Sequence, residues 1–231
     1  MTAPRVALVA CTLAGVALAS ASPARAEDPP KKAYRVAAIG DSLTDPKSHG
    51  GKYLEALKKR CPESVFDSYG KGGEMVNQMR KRFERDILGH PKDPDHAYTD
   101  VIVFGGVNDL YSDETAGRTV EKIARDLAFM YGRAKAEGLR VVAITVAPWG
   151  GFSKWFTPHR GQTTRKLNAW IASQVDDGKI DRVVDAHALL ACDDPDKLCE
   201  EFGQKDGLHF TSKGHQKLGD ALFSAAFADC R

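Results

Sequence analysis

Arg35-Val36-Ala37-Ala38-Ile39-Gly40-Asp41-Ser42-Leu43 is the stretch on which the fold turns. After Arg35 the run is apolar through Ile39, the pattern of a short strand buried on both faces. Gly40 ends it, and Asp41-Ser42 fall where the chain has to turn. Comparable runs recur at 65–69, 100–104, 139–146 and 182–185. Helical spacing fills the intervals at 51–60, 74–88, 114–137 and 160–176, and Thr211-Ser212-Lys213 opens a last helix. Residues 114–137 carry the strongest pattern, with Val120, Ile123, Ala124, Leu127, Met130, Tyr131 and Ala134 on one face and Gly138 as the stop. Strand and helix in alternation call for one parallel sheet covered on both sides, hence an α/β fold.

The polar residues of interest follow the strands. Ser42 comes after the first, Gly70-Lys71-Gly72-Gly73 after the second and Gly105-Gly106-Val107-Asn108-Asp109 after the third. Open α/β sheets bind ligands at the C-terminal strand ends, where strand order reverses. In the order 2-1-3-4-5 that point lies between strands one and three, so Ser42 and Asn108 are expected to face each other.

Far downstream stands Asp206-Gly207-Leu208-His209. A serine hydroxyl needs a base to become a nucleophile, and the base needs an anion to fix its tautomer. Asp206 and His209, three apart on a loop, are close enough to pair. Asn108 and a glycine N–H are suitable donors to a developing oxyanion. Each segment alone has an ordinary reading: Ser42 as a helix cap, Asp206 as a helix-entry residue, Asn108 and the glycines as turn formers. The chain has neither G-x-S-x-G nor a nucleotide-binding glycine motif.

Taken together, Gly40-Asp41-Ser42-Leu43, the glycine block, Gly106-Val107-Asn108-Asp109 and Asp206-Gly207-Leu208-His209 resemble the SGNH (GDSL) hydrolases over roughly residues 35–228. The resemblance implies a three-layer α/β/α, flavodoxin-like fold with a five-stranded parallel sheet in the order 2-1-3-4-5. It implies ester hydrolysis through an acyl-enzyme, with Ser42 as nucleophile, His209 as base and Asp206 as its orienter. Ser42, Gly73 and Asn108 would supply the oxyanion hole. The glycine block departs from the family's Asn-x-Gly, so Gly72 competes with Gly73 for that role; Gly73, the last glycine before the next helix, is preferred. No metal or cofactor is implied.

The substrate is less legible. Pro148-Trp149-Gly150-Gly151-Phe152-Ser153-Lys154-Trp155-Phe156 follows strand four on the same edge. Trp149, Phe152 and Trp155 are expected to line an acyl or sugar pocket; the alternative is a loop folded under its own aromatics. His49 and His159 read as surface histidines. A small-molecule, polysaccharide or lipid ester is expected, with short-chain or acetyl esters favoured over lysophospholipid or thioester substrates. A carbohydrate-binding protein without turnover, or a phosphate-binding protein on the same fold, are the readings of another class.

Residues 1–26 read as a secretory signal: Arg5, an apolar stretch, then Ala24-Arg25-Ala26. Leu8-Val9-Ala10-Cys11 resembles a lipobox, with too short an apolar run before it. Residues 27–34 form a polar lead-in, and 35–231 one domain. Without Arg5 and Arg25 the 33 basic residues fall to 31 and match the 31 acidic ones. That balance opposes nucleic-acid binding, and stable membrane insertion is not expected. A secreted or periplasmic monomer is the expectation. Four cysteines then remain, and the favoured pairs are Cys192–Cys199 and Cys61–Cys230.

Overall fold

A computed structural model describes residues 1, 31–89 and 97–231 of the chain. The expected secretory signal and most of the lead-in lie outside the described residues. Five strands, β1 (Arg35–Gly40), β2 (Val65–Gly70), β3 (Asp100–Phe104), β4 (Arg140–Ile144) and β5 (Arg182–Val184), form one parallel sheet in the order β2-β1-β3-β4-β5. The period-two alternation of a strand sends successive side chains to opposite faces. Ala37, Ile39, Val101, Val103 and Val141 therefore pack against helices α2 (Val76–Phe83), α5 (Val120–Ala136) and α6 (Pro158–Ser173). Val36, Ala38, Ile102, Phe104 and Ile144 pack on the other side against α1 (Lys52–Arg60), α7 (Ala186–Leu190) and α8 (Ser212–Leu222). The three layers are those expected. Two short helices, α3 (Val107–Tyr111) and α4 (Asp113–Ala116), complete the set.

The register explains why distant segments meet. Gly40 at the end of β1 is paired with Gly70 of β2 and with Phe104 of β3. Ser42, Gly72 and Gly106 each lie two residues beyond that level, so all three turns open on one edge.

Three elements differ from the sequence expectation. The helix expected over 114–137 is broken: α4 ends where Gly117 adopts φ 58°, and Thr119 caps a new helix through the N–H of Lys122. Between them Arg118 turns inward to two carboxylates. Strand four is shorter than 139–146. Beyond Ile144 the side chain of Asn168 takes over the backbone of Val146, accepting from its N–H at 2.8 Å and donating to its carbonyl at 2.9 Å. The helix expected over 74–88 starts at Val76 and widens into a π turn at Glu84–Leu88.

Both favoured disulfides are present. Cys61–Cys230 joins the end of α1 to the C-terminus, with Cα atoms 5.4 Å apart, and Cys192–Cys199 closes a short loop, with Cα atoms 5.1 Å apart. Among the described residues no helix is long and apolar enough to cross a membrane.

Candidate active site

The turn after β1 is built around two carboxylates. Asp41, buried, accepts the N–H of Leu43 on Oδ1 at 2.9 Å, while its carbonyl accepts the N–H groups of Thr44 and Asp45. Asp45 accepts the N–H of Lys47, the hydroxyl of Ser48 and the N–H of Gly72, at 2.9, 2.9 and 3.0 Å. These bonds outweigh the opposing effect of burial and hold the Asp45 carboxyl below its usual range. The clasp fixes Ser42 and lashes the β1 turn to the β2 turn.

Ser42 Oγ lies 2.9 Å from Nε2 of His209, and Nδ1 of His209 lies 2.6 Å from Oδ2 of Asp206. Asp206 Oδ1 also accepts the N–H groups of Leu208 and His209, both at 3.0 Å. Partial burial raises the Asp206 carboxyl, but the imidazole and the two N–H groups pull harder and leave it below the usual range. An ionised Asp206 accepts from Nδ1–H, leaving Nε2 to accept from the serine hydroxyl. Gly207 makes the loop feasible: its φ of 72° suits glycine, and a Cβ there would run into the backbone of Gly151.

Asn108, buried at the start of α3, donates from Nδ2 to the carbonyl of Glu74 at 2.9 Å. An amide nitrogen has two N–H groups, so this bond orients the side chain and leaves the other available. Asp109 beside it accepts the N–H of Val76, the first residue of α2, at 2.8 Å and Nε of Arg118 at 2.6 Å. Arg118 in turn donates to Asp126 at 2.8 Å. Burial raises the Asp109 carboxyl even against these partners. Asp109 thus ties the start of α2 to α3, a positioning role that the sequence motif contained but did not reveal.

In the glycine block the N–H of Gly72 is spent on Asp45. Gly73 has φ 76°, and neither its N–H nor that of Ser42 is given to another group among the described residues.

These groups open into a cleft of about 630 Å³ lined by Ser42, Gly73, Asn108 and His209, with Ser48, His49 and Gln204 on a polar rim and Tyr111 and Phe152 on an aromatic one. His49 is held at φ 62°, the only described residue other than glycine with a positive φ, and that turn carries it to the rim. His159 lies elsewhere, in a recess with Asp113 and Lys166. Of the three expected aromatics, Phe152 lines the cleft and Trp155 touches Tyr111, with ring centroids 6.1 Å apart. Trp149 is a correction. It is 1% exposed, donates Nε1–H to Thr164 at 2.9 Å and packs edge-on against Phe156 in the core. An indole whose N–H finds a buried hydroxyl is more stable inside. Tyr111 is the wall residue the sequence reading missed; as the last residue of α3 it carries no signal of its own.

Comparisons with known proteins bear on the family and the fold. The family model for the GDSL-like lipase/acylhydrolase family matches residues 38–217. No curated protein sequence matches the chain. Among solved structures, a GDSL-like lipase from Bacteroides thetaiotaomicron has 20% identity and a TM-score of 0.64, over 83% of this chain and 86% of that one. A lipase/acylhydrolase from Enterococcus faecalis has 21% identity and a TM-score of 0.64, over 83% and 94%. An acetylxylan esterase from Geobacillus stearothermophilus has 15% identity and a TM-score of 0.66, over 87% and 98%. At these identities the likeness to the solved structures is one of fold. The family model spans most of the chain, and on that ground the chain belongs to the GDSL-like lipase/acylhydrolase family and is a carboxylic ester hydrolase.

Proposed function

We propose that this protein hydrolyses short-chain carboxylic esters, acetyl esters foremost, through an acyl intermediate on Ser42. The observation that carries the reading is the unbroken chain of hydrogen bonds from Ser42 Oγ through His209 to Asp206. In the first half-reaction Oγ bonds to the ester carbonyl carbon as its proton passes to His209 Nε2. The resulting imidazolium is stabilised by Asp206. The carbonyl oxygen, now an alkoxide, takes up the N–H groups of Ser42 and Gly73 and the second amide N–H of Asn108. Collapse expels the alcohol, which leaves with the proton from His209. Water then attacks the acyl-serine with His209 again as base, releasing the acid and restoring the hydroxyl.

The engagement of the Gly72 N–H by Asp45 favours Gly73 as the glycine donor. The cleft favours a small acyl group, since among the described residues Tyr111, Phe152 and Leu208 are the only large apolar side chains lining it. Export through the segment 1–26 fits the two disulfides, which persist in an oxidising compartment. Hydrolysis of p-nitrophenyl acetate, butyrate and octanoate by the purified protein and by Ser42→Ala tests the reading. Turnover that falls with chain length and disappears in the variant is expected. Equal turnover in both proteins would remove Ser42 as nucleophile.

A further inference from the structure

The cleft has two unlike rims, and only one of them stops at the cleft. On the polar side the Ser48 hydroxyl turns back to Asp45 and His49 ends in solvent. On the aromatic side Tyr111 is edge-on to Phe152, with centroids 6.1 Å apart and planes at 82°, and its ring also meets Trp155 at 6.1 Å and 44°. Aromatic surface therefore runs without a break from the cleft wall out to Trp155. That indole is 38% exposed; apart from Met1 it is the only large apolar side chain left so open among the described residues.

An isolated apolar side chain at a surface needs no explanation, but Trp155 is neither isolated nor loose. Its N–H donates to the carbonyl of Phe152 at 2.9 Å, and its own carbonyl accepts from Nη1 of Arg160 at 2.6 Å. Arg160 is anchored by Nε and Nη2 on Asp113, at 3.1 and 2.6 Å. The Lys154 ammonium lies 5.2 Å from the indole centroid. The fold holds an electron-rich indole partly in water, beside a site that binds esters, with a cation over the ring.

Resting on the esterase reading above, we infer that Tyr111 and Trp155 form a stacking platform for a sugar ring, and that the natural substrate is an acyl ester, such as an acetyl ester, carried on a carbohydrate. A pyranose presents a face of C–H bonds that suits an aromatic ring and an edge of hydroxyls that suits polar partners. The platform supplies the first; His49, Lys154 and the side-chain oxygens of Ser48 and Gln204, whose own O–H and N–H groups are bonded to Asp45 and Phe210, supply the second. A long acyl chain or a lysophospholipid would need an extended apolar groove, whereas the aromatic strip is three rings set at 82° and 44° to one another and ends in one exposed indole.

The test compares the purified protein with Trp155→Ala and Trp155→Phe on p-nitrophenyl acetate, p-nitrophenyl octanoate and an acetylated xylo-oligosaccharide. In Trp155→Ala, kcat/KM on the oligosaccharide relative to p-nitrophenyl acetate is expected to fall about tenfold, chiefly through KM. Trp155→Phe, which keeps a flat ring, should recover most of that ratio. A ratio unchanged in Trp155→Ala, or a preference of the parent for octanoate over the acetylated sugar, overturns the platform. A second readout is independent of turnover. In Ser42→Ala the acetylated xylo-oligosaccharide should alter tryptophan emission, and adding Trp155→Phe should abolish the change, because of the other two tryptophans Trp149 is buried and Trp170 stacks on Tyr131, and neither lines the cleft. No turnover of any ester by the parent would sink the esterase reading. The platform would then stand or fall on the emission change alone.

Discussion

The proposed nucleophile and its proposed base are held in opposite ways. Ser42 sits in a turn that continues the sheet: Asp41, Leu43, Thr44 and Asp45 around it are all buried, and the turn is bonded to itself and to the neighbouring strand end. Asp206 and His209 sit on a loop far from the sheet in sequence, with side chains 40% and 30% exposed. That loop is held by its own turn, by the bond from Gln204 N–H to the carbonyl of His209 at 2.8 Å, and by the contact of Gly207 with Gly151. One half of the site is therefore a by-product of the core, and the other is a small local structure laid against it. Substitutions in the first half should disturb folding and catalysis together. Those in the second should remove catalysis from an intact fold.

The largest effects come from the exposed half and are the sharpest check on that contrast. His209→Ala removes the base, and kcat should drop by about 10⁴–10⁶-fold. Asp206→Asn keeps the shape but favours the wrong ring tautomer, and a loss of about 10⁴ is expected. Neither should move the thermal midpoint by more than a few degrees, since both residues are surface-accessible and away from the core. Melting that collapses along with activity in either variant would break the comparison. On the buried side, Asn108→Ala should lower kcat by about 10²–10³, the cost of one oxyanion donor. It should also cost stability, because the carbonyl of Glu74 loses its amide partner.

The disulfides allow the same division to be made in covalent terms. Cys61–Cys230 closes a separation of 169 residues and pins the chain end beside α1, remote from the cleft. Losing it should cost up to about 5 kcal/mol of stability on a chain-entropy estimate. Cys192–Cys199 closes only seven and should cost about 2–3 kcal/mol on the same basis. Its loop, however, reaches both partners of the base segment. The carbonyl of Asp196 accepts the N–H of Gly150 at 2.6 Å, and the carbonyl of Cys199 accepts the N–H groups of Phe202 and Gly203, just before Gln204. The paired variant Cys192→Ser/Cys199→Ser should therefore lower kcat severalfold, whereas Cys61→Ser/Cys230→Ser should lower the melting temperature with kcat per folded molecule preserved. An unchanged kcat in Cys192→Ser/Cys199→Ser would mean that the Asp206–His209 loop is set by its own turn alone.

What could be read from the sequence divides along a related line. Strands β1, β3 and β4 were visible because a sheet buried on both faces demands unbroken apolar runs. The positions of Ser42, Asp206 and His209 were visible because each is fixed by a neighbour two or three residues away. Residues decided by distant partners were not. Trp149 in a Gly-rich loop reads the same whether it turns to the cleft or to the core, and the deciding hydroxyl, Thr164, is 15 residues on. Gly72 and Gly73 are separated only by Asp45, 27 residues earlier, which takes the N–H of one of them. The break at 117–119 did carry local signals, a glycine and a threonine cap. They were hidden by apolar spacing that runs on through Val120–Ala136.

The effect most specific to the buried half is a pH dependence. Asp41 is 1% exposed, and its Oδ2 has no partner among the described residues. Burial raises its carboxyl to about 7, with the charge of Asp109 adding and the Leu43 N–H and His209 subtracting. In the unfolded chain the same group would titrate near 3.8. Between these values the folded protein holds a proton that the unfolded chain lacks, so stability falls as pH rises. The contribution is complete below about 4 and gone above about 7, amounting to up to about 4 kcal/mol. Asp41→Asn retains an oxygen for the Leu43 N–H and has no proton to lose. The melting temperature of the parent should therefore fall relative to that of Asp41→Asn by roughly 10 °C from pH 4 to pH 7. Parallel curves would mean that Asp41 stays ionised in the fold, and the turn that presents Ser42 would then contain a buried charge whose partner is still to be found.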